Sequence, residues 1–138
     1  MSYQPFAAMD DISSLVSAFE QCQLTPDEFH HREHLAVAFW YCRKYDESAT
    51  LPKMRDSLHN FLSHHGLKMG YHETITAFWI LMVRRFIKDS GKLAELQIAN
   101  NLINEYGGGE ILKHYYSSKC LGREAARQSW QLPDLQAL

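Results

Sequence analysis

Two short segments of this chain concentrate histidines: FHHREH at residues 29–34 and YHET at residues 71–74. His31 and His34 are three residues apart, so on a helix their side chains share one face, with Cβ atoms about 5–6 Å apart. Two imidazoles at that spacing can bind one ion, and His72 should point inward from a second helix. The pattern predicts a metal site with His31, His34 and His72 as ligands. The metal would be a divalent transition metal: zinc, iron or nickel.

Neighbouring side chains supply candidates for the rest of such a site. Glu73 could accept a proton from a metal-bound water, while Thr76 and Tyr116 could contact a bound ligand. His65 and Glu73 are further candidate metal ligands. Each has a plainer interpretation as well: Glu73 as a solvated carboxylate in a first helical turn, Tyr116 as a core aromatic, and His65 as a favourable charge at a helix end.

Three hypotheses about function follow from these residues. The first is a metal-dependent hydrolase or oxidoreductase that acts on a small molecule. The second is a metal-free binding domain, whose pocket of histidine, threonine and tyrosine side chains holds a small polar ligand. The third is a helical protein-interaction domain whose histidines only pack, because buried histidines often serve as hydrogen-bonded core residues.

Helices must position all of these residues, because apolar side chains recur at three- and four-residue spacing and no segment alternates with period two. We predict an all-α, single-domain bundle of five to seven helices over residues 1–138. The helix that carries FHHREH should pack against the one that begins near His72. After three glycines at 107–109 we expect a short helix at 110–116, a turn at 117–118 and a last helix at about 123–130.

Composition excludes several classes of function. Hydrophobic residues at 46% and charged residues at 22% are typical of a globular domain, and a formal charge of −2 provides no basic field for nucleic acid. The three cysteines are far apart and form no CxxC pair, which favours reduced thiols. We find no signal peptide and no apolar run long enough to span a membrane, so we expect a cytoplasmic protein. The candidate site leads us to expect a small-molecule ligand or substrate as its partner.

The motifs FxHxxHL at 29–35, YHETIT at 71–76, KHYYSS at 113–118 and the ending LPDLQAL also resemble those of a group of small uncharacterised bacterial helical proteins. The resemblance extends along nearly the whole chain. It implies that His31, His34, His72, Thr74 and Thr76 act as one functional set. It implies no reaction or substrate, since no activity is known for that group.

Overall fold

The protein is described by a computed structural model that covers residues 4–138, except for the side chain of Lys68. Residues 1–3 of the predicted domain lie outside the described residues. Over the described range the chain forms eight α-helices and no strand. The helices are α1 (Met9–Glu20), α2 (His31–Lys44), α3 (Glu47–His64), α4 (Glu73–Asp89), α5 (Glu95–Tyr106), α6 (Leu112–Tyr115), α7 (Ser118–Leu121) and α8 (Glu124–Gln128).

The all-helical prediction is confirmed, but the predicted number of five to seven helices is too low. Five helices have twelve residues or more, and the difference arises after the three glycines. The turn expected at 117–118 is the start of α7, because the Ser117 hydroxyl accepts a hydrogen bond from the Cys120 amide, 3.0 Å away, and caps a helical turn. Short helices of this kind leave little periodicity in a sequence.

Helix α2 lies at the centre of the fold and packs against α1, α3, α4 and α5. It packs against α4 as predicted, and that contact is the most extensive between any two of the described helices. Because neighbours surround α2, it is buried on more than one face: Leu35, Val37 and Phe39 are all fully buried. The first turns of α2 and α4 are thereby held within one packed unit.

Side chains of the local sequence fix where α2 and α4 begin. Glu28 accepts a hydrogen bond from the Thr25 amide (2.9 Å) and closes a 3₁₀ turn over Pro26–Glu28. The chain then leaves helical geometry, and Glu33 accepts from the His30 amide (2.8 Å) at the start of α2. These two carboxylates separate the 3₁₀ turn from α2, so the two do not merge into one helix.

The C-terminal segment after α8 is fastened back onto the helices. Tyr116 donates its hydroxyl to the Gln131 carbonyl (2.6 Å), and Ser117 donates to the Asp134 carboxylate (2.5 Å). The Thr74 hydroxyl, fully buried on α4, donates to the Ala126 carbonyl at 2.6 Å. The chain end therefore contributes to the packing around the start of α4.

The described residues bear on two predictions, one about membrane-spanning segments and one about the state of the cysteines. Within the described residues, no helix combines the length and the apolar character needed to cross a bilayer. Cys22, Cys42 and Cys120 are all free, in agreement with reduced thiols. Burial raises the pKa of the Cys42 thiol to about 11, so this side chain behaves as a core residue and not as a nucleophile.

Candidate functional site

A cavity of about 410 Å³ lies between α2, α3 and α4, at the level where α2 and α4 begin. Its walls are mostly aliphatic and aromatic, and its polar residues are three histidines, a tyrosine and a threonine. The lining residues are Pro26, Phe29, His31, His34, Leu35, Ala38, Met54, Leu58, Phe61, Leu62, Leu67, Gly70, Tyr71, His72, Ile75, Thr76, Trp79 and Ile80. No described side chain that lines it belongs to Asp, Glu, Lys or Arg.

His31 stands at the first position of α2, with its ring held between α4 and the end of α5. Its Nε2 atom lies 3.1 Å from the Tyr106 carbonyl oxygen, and its ring centroid lies 4.4 Å from that of Trp79. A carbonyl can only accept, so Nε2 must carry the proton and Nδ1 has a free lone pair in the neutral ring. Burial lowers the pKa of His31, although the bond to Tyr106 opposes this effect.

His34 lies one turn further along α2, and its side chain is half-buried. Its ring packs against Phe29, with centroids 4.2 Å apart, and makes no hydrogen bond to another described residue. Burial, assisted by the neighbouring His31, lowers the pKa of His34 to about 4. The ring is therefore neutral at physiological pH and offers one N–H and one lone pair.

His72 lines the same cavity, but backbone groups already occupy both of its ring nitrogens. Nε2 lies 2.7 Å from the Leu121 carbonyl oxygen, and Nδ1 accepts a hydrogen bond from the Ile75 amide at 3.2 Å. The first contact requires a proton on Nε2 and the second a lone pair on Nδ1, so the ring is neutral and saturated. His72 is the N-cap of α4, and it ties that helix to α7.

Two hydroxyl groups complete the polar part of the cavity wall. Thr76 donates its hydroxyl hydrogen to the His72 carbonyl (2.8 Å), one turn back along α4. Tyr71 donates its phenolic hydrogen to the Glu73 carboxylate (2.6 Å). Burial and that carboxylate raise the pKa of Tyr71. The Tyr71 oxygen also interacts with Arg55 and Thr76. Neither hydroxyl has a hydrogen left to donate to a ligand.

Glu73 does not line this cavity. Its carboxylate receives two parallel hydrogen bonds from Arg55, at 2.9 and 2.7 Å, and lies in the wall of a second, more open cavity of about 470 Å³. The Arg55 guanidinium holds the pKa of the Glu73 carboxyl below its usual range. The structure thus places the proposed proton acceptor on the far side of Tyr71, which lines both cavities.

Tyr116 and His65 also lie apart from the histidine cavity. Tyr116 is buried between Phe78 and Trp130, where its hydroxyl holds the C-terminal segment, and burial raises its pKa to about 12. His65 ends α3, with its ring 4.7 Å from that of Phe61. The structure therefore brings together His31, His34, His72 and Thr76 from the predicted set, and it does not bring Glu73, Tyr116 or His65 to them.

The three predicted metal ligands differ in whether a ring nitrogen has a lone pair available for an ion. Among the described residues, no three His, Cys, Asp or Glu side chains are grouped so that they could hold one ion. His31 and His34 each have a nitrogen lone pair to offer, whereas His72 would have to release the Ile75 amide to free one. The three-histidine metal site stays a prediction, and His72 is the ligand that would lose a hydrogen bond on binding an ion.

Several residues of the site were not singled out from the sequence. Trp79 belongs to the core, being only 9% exposed, yet it also forms the wall beside His31. Tyr106, the last residue of α5, bonds His31, and Gly109 in the following loop lies so close that a Cβ atom there would touch the His31 ring. The three consecutive glycines were the only local signal for that contact, since a backbone that must approach a ring closely favours glycine.

Comparison of the chain with protein-family models, with curated proteins and with solved structures finds no significant match. The predicted resemblance to a group of small bacterial helical proteins therefore stays a prediction. The argument for function rests on the cavity and its side chains.

Proposed function

We propose that the protein binds an uncharged small molecule in the cavity between α2, α3 and α4. One observation carries this proposal: the cavity contains neutral histidines, but none of its described lining side chains is a permanent cation or anion. The proposal corresponds to the metal-free binding domain among the three hypotheses drawn from the sequence.

Electrostatics favours an uncharged ligand over an ionic one. A charged group that leaves water for an apolar cavity loses several kcal/mol of hydration free energy unless a counter-charge or several hydrogen bonds replace the water. A cation in this cavity would meet aromatic and aliphatic walls with no described carboxylate among them. An anion would meet histidines whose lowered pKa values keep them neutral.

The dimensions of the cavity agree with a ligand of low molecular mass. A volume of about 410 Å³ lies within the range of about 300–1,000 Å³ that is usual for small-molecule sites. Apolar walls with a few convergent polar groups are also usual in such sites, because the walls supply affinity and the polar groups supply orientation. Phe29, Phe61 and Trp79 provide flat surfaces on which a ring can pack.

Toluene is a suitable first probe, because it tests for an apolar cavity without requiring any hydrogen bond. We expect it to raise the melting temperature of the wild type and to shift the NMR signals of the His31 and His34 rings. Ala38→Leu should abolish both effects, since Ala38 lines the cavity. Ala36→Leu is the matched control, because Ala36 is equally buried on α2 but does not line it.

The result that would overturn the proposal is a wild-type protein whose melting temperature and histidine signals respond neither to toluene, up to its solubility limit, nor to aromatic probes that carry polar groups, such as resorcinol. That outcome would favour the interaction domain, in which the histidines only pack. It would not depend on whether Ala38→Leu folds, since it is measured on the unmodified chain.

A metal-dependent hydrolase or oxidoreductase is the second candidate, favoured by one observation. His31 and His34 are neutral, lie one turn apart and border one cavity, which is the state and spacing that a divalent ion requires. Zinc, iron or nickel bound there would act as a Lewis acid or a redox centre. Elemental analysis of protein purified without a metal column should then find about one equivalent, and His31→Ala should remove it while His30→Ala should not.

A further inference from the structure

The hydrogen bonds within the cavity wall determine what kind of polar group a ligand must carry. His31 gives its only ring hydrogen to Tyr106, Thr76 gives its hydroxyl hydrogen to His72, and Tyr71 gives its phenolic hydrogen to Glu73. None of these side chains keeps a free hydrogen, and His31 and Thr76 keep a lone pair, whereas the Tyr71 oxygen already interacts with Arg55 and Thr76. Among the described side chains in the wall, the N–H groups that no protein group accepts are those of His34 and of the Trp79 indole.

The direction of the His31 lone pair follows from what surrounds the ring. The Cδ2–Nε2 edge faces the end of α5, because Nε2 bonds the Tyr106 carbonyl and Cδ2 is the ring atom nearest to Gly109. Nδ1 lies on the opposite edge of the imidazole. Since the ring also lines the cavity, its remaining edge, with the Nδ1 lone pair, is the one available to a ligand.

The glycine after α5 keeps the His31 ring in this orientation. Gly109 has a φ of +74°, and a Cβ atom built there would lie 3.4 Å from His31 Cδ2, at the close limit of van der Waals contact. The indole of Trp79 packs against the same ring with centroids 4.4 Å apart. The Tyr106 carbonyl, Gly109 and Trp79 together hold the imidazole, so the acceptor is preorganised before any ligand binds.

We propose that the cavity selects uncharged aromatic molecules with at least two hydrogen-bond donors, such as dihydroxybenzenes, and that His31 Nδ1 and His34 are the acceptors. This inference rests on the proposed function and specifies its ligand class. A ligand with acceptors only would leave the lone pairs of His31, His34 and Thr76 without partners, and each buried unpaired group weakens binding. A donor-rich ligand satisfies them.

Resorcinol and 1,3-dimethoxybenzene are a matched pair of probes, because both are flat, uncharged and meta-substituted, and only resorcinol has donors. Dissociation constants can be measured by NMR titration of the His31 and His34 ring signals, with benzoate as the anionic comparison. We expect resorcinol to bind at least about tenfold more tightly than 1,3-dimethoxybenzene, since one well-made hydrogen bond in a buried site contributes on the order of a tenfold change. Benzoate should bind more weakly than resorcinol.

A substitution at His31 tests the assigned acceptor. His31→Phe keeps a flat ring without a lone pair, so the preference for resorcinol should fall toward unity. His30→Phe is the control, because the His30 side chain is 73% exposed and does not line the cavity. An unchanged preference in His31→Phe would overturn the assignment to His31. If that variant does not fold, the wild-type comparison still decides the ligand class.

The outcomes separate this inference from the proposed function. If toluene binds but resorcinol is no tighter than 1,3-dimethoxybenzene, or if benzoate equals resorcinol, the donor-selective class is wrong and the cavity remains a small-molecule site. If neither toluene nor any of the three other probes binds, the proposed function itself is wrong.

Discussion

The Nε2 atom of His72 lies 2.7 Å from the carbonyl oxygen of Leu121, which joins the start of α4 to the end of α7. The other ring nitrogen accepts from the Ile75 amide and caps α4. The YHET segment is thus a helix start whose histidine bonds two backbone groups far apart in the sequence. An imidazole is well suited to this position, because its two nitrogens can accept at one edge and donate at the other.

Replacement of His72 should therefore lower stability without any involvement of metal. His72→Ala removes an N-cap worth about 1 kcal/mol and leaves the Leu121 carbonyl without its partner, so we expect a loss of about 2–3 kcal/mol in the free energy of unfolding. His72→Asn should recover part of this loss, because asparagine can cap the helix but is too short to reach Leu121 as well. Urea denaturation measures both variants.

Measurement of the same variants with and without a chelator separates a structural role of His72 from a metal-binding role. If His72 is structural, the loss is the same with and without chelator. A loss that appears only in protein loaded with zinc, iron or nickel, and vanishes in chelator, contradicts the structural role and returns His72 to the metal site.

The ion pair between the buried Glu73 and the partly exposed Arg55 gives a second prediction. Glu73→Gln keeps the shape but removes the charge that two guanidinium bonds and the Tyr71 hydroxyl require. We expect a loss of about 1–3 kcal/mol at pH 7. Because Arg55 lowers the pKa of Glu73 in the folded state, the wild-type advantage should decline as the pH falls below the usual glutamate pKa of about 4.3.

Ligand binding separates this structural role from the catalytic role predicted from the sequence. Glu73 borders the second cavity and not the histidine cavity, so Glu73→Gln should leave the affinity for toluene and resorcinol within about twofold of wild type. A large loss of affinity in a well-folded Glu73→Gln protein would show that Glu73 acts on the histidine cavity.

The sequence predicted the parts of the fold and site that depend on local spacing. Helical periodicity gave the five long helices, and the three-residue interval placed His31 and His34 on one face that lines one cavity. It could not predict hydrogen bonds between distant segments. His72 to Leu121, His31 to Tyr106 and Arg55 to Glu73 span 49, 75 and 18 residues, respectively. Those contacts decide which nitrogens are free and which carboxylate is available.

Burial of His34 gives a prediction for the pH dependence of stability. The folded-state pKa is lowered to about 4, whereas the unfolded chain titrates near about 6.5. Between these two values the unfolded state binds more protons, so the free energy of unfolding should fall as the pH decreases from about 6.5 to about 4. His31, whose pKa is also lowered by burial, acts in the same direction. Above pH 7 both histidines are neutral in the folded and in the unfolded chain, so they should no longer make the free energy of unfolding depend on pH.

Calorimetry or urea denaturation across this pH range can isolate the contribution of His34. One such histidine contributes a slope of at most about 1.4 kcal/mol per pH unit. His34→Gln should flatten the profile by part of that slope, whereas His30→Gln, at an exposed position, should leave it unchanged. A His34→Gln profile parallel to that of the wild type would mean that His34 is already well hydrated in the folded protein.

Gly109 offers a test of how the His31 ring is held. Gly109→Ala places a methyl group in a left-handed backbone conformation and against the ring, so stability should fall by about 1–3 kcal/mol, and resorcinol should bind more weakly because the acceptor is displaced. Two further glycines separate these effects. Gly91→Ala shares the left-handed strain, with a φ of +63°, but has nothing within 4 Å of the added methyl group. Gly108→Ala has neither the positive φ nor a neighbour.

The three variants should therefore rank differently in two measurements. In urea denaturation, Gly109→Ala and Gly91→Ala should both lose stability, while Gly108→Ala should be neutral or slightly stabilised, because alanine restricts the unfolded chain. In NMR titration with resorcinol, only Gly109→Ala should lose affinity, and its His31 signals should differ from those of the wild type before any ligand is added. Equal affinity in all three variants would show that the cavity holds His31 in place without the glycine.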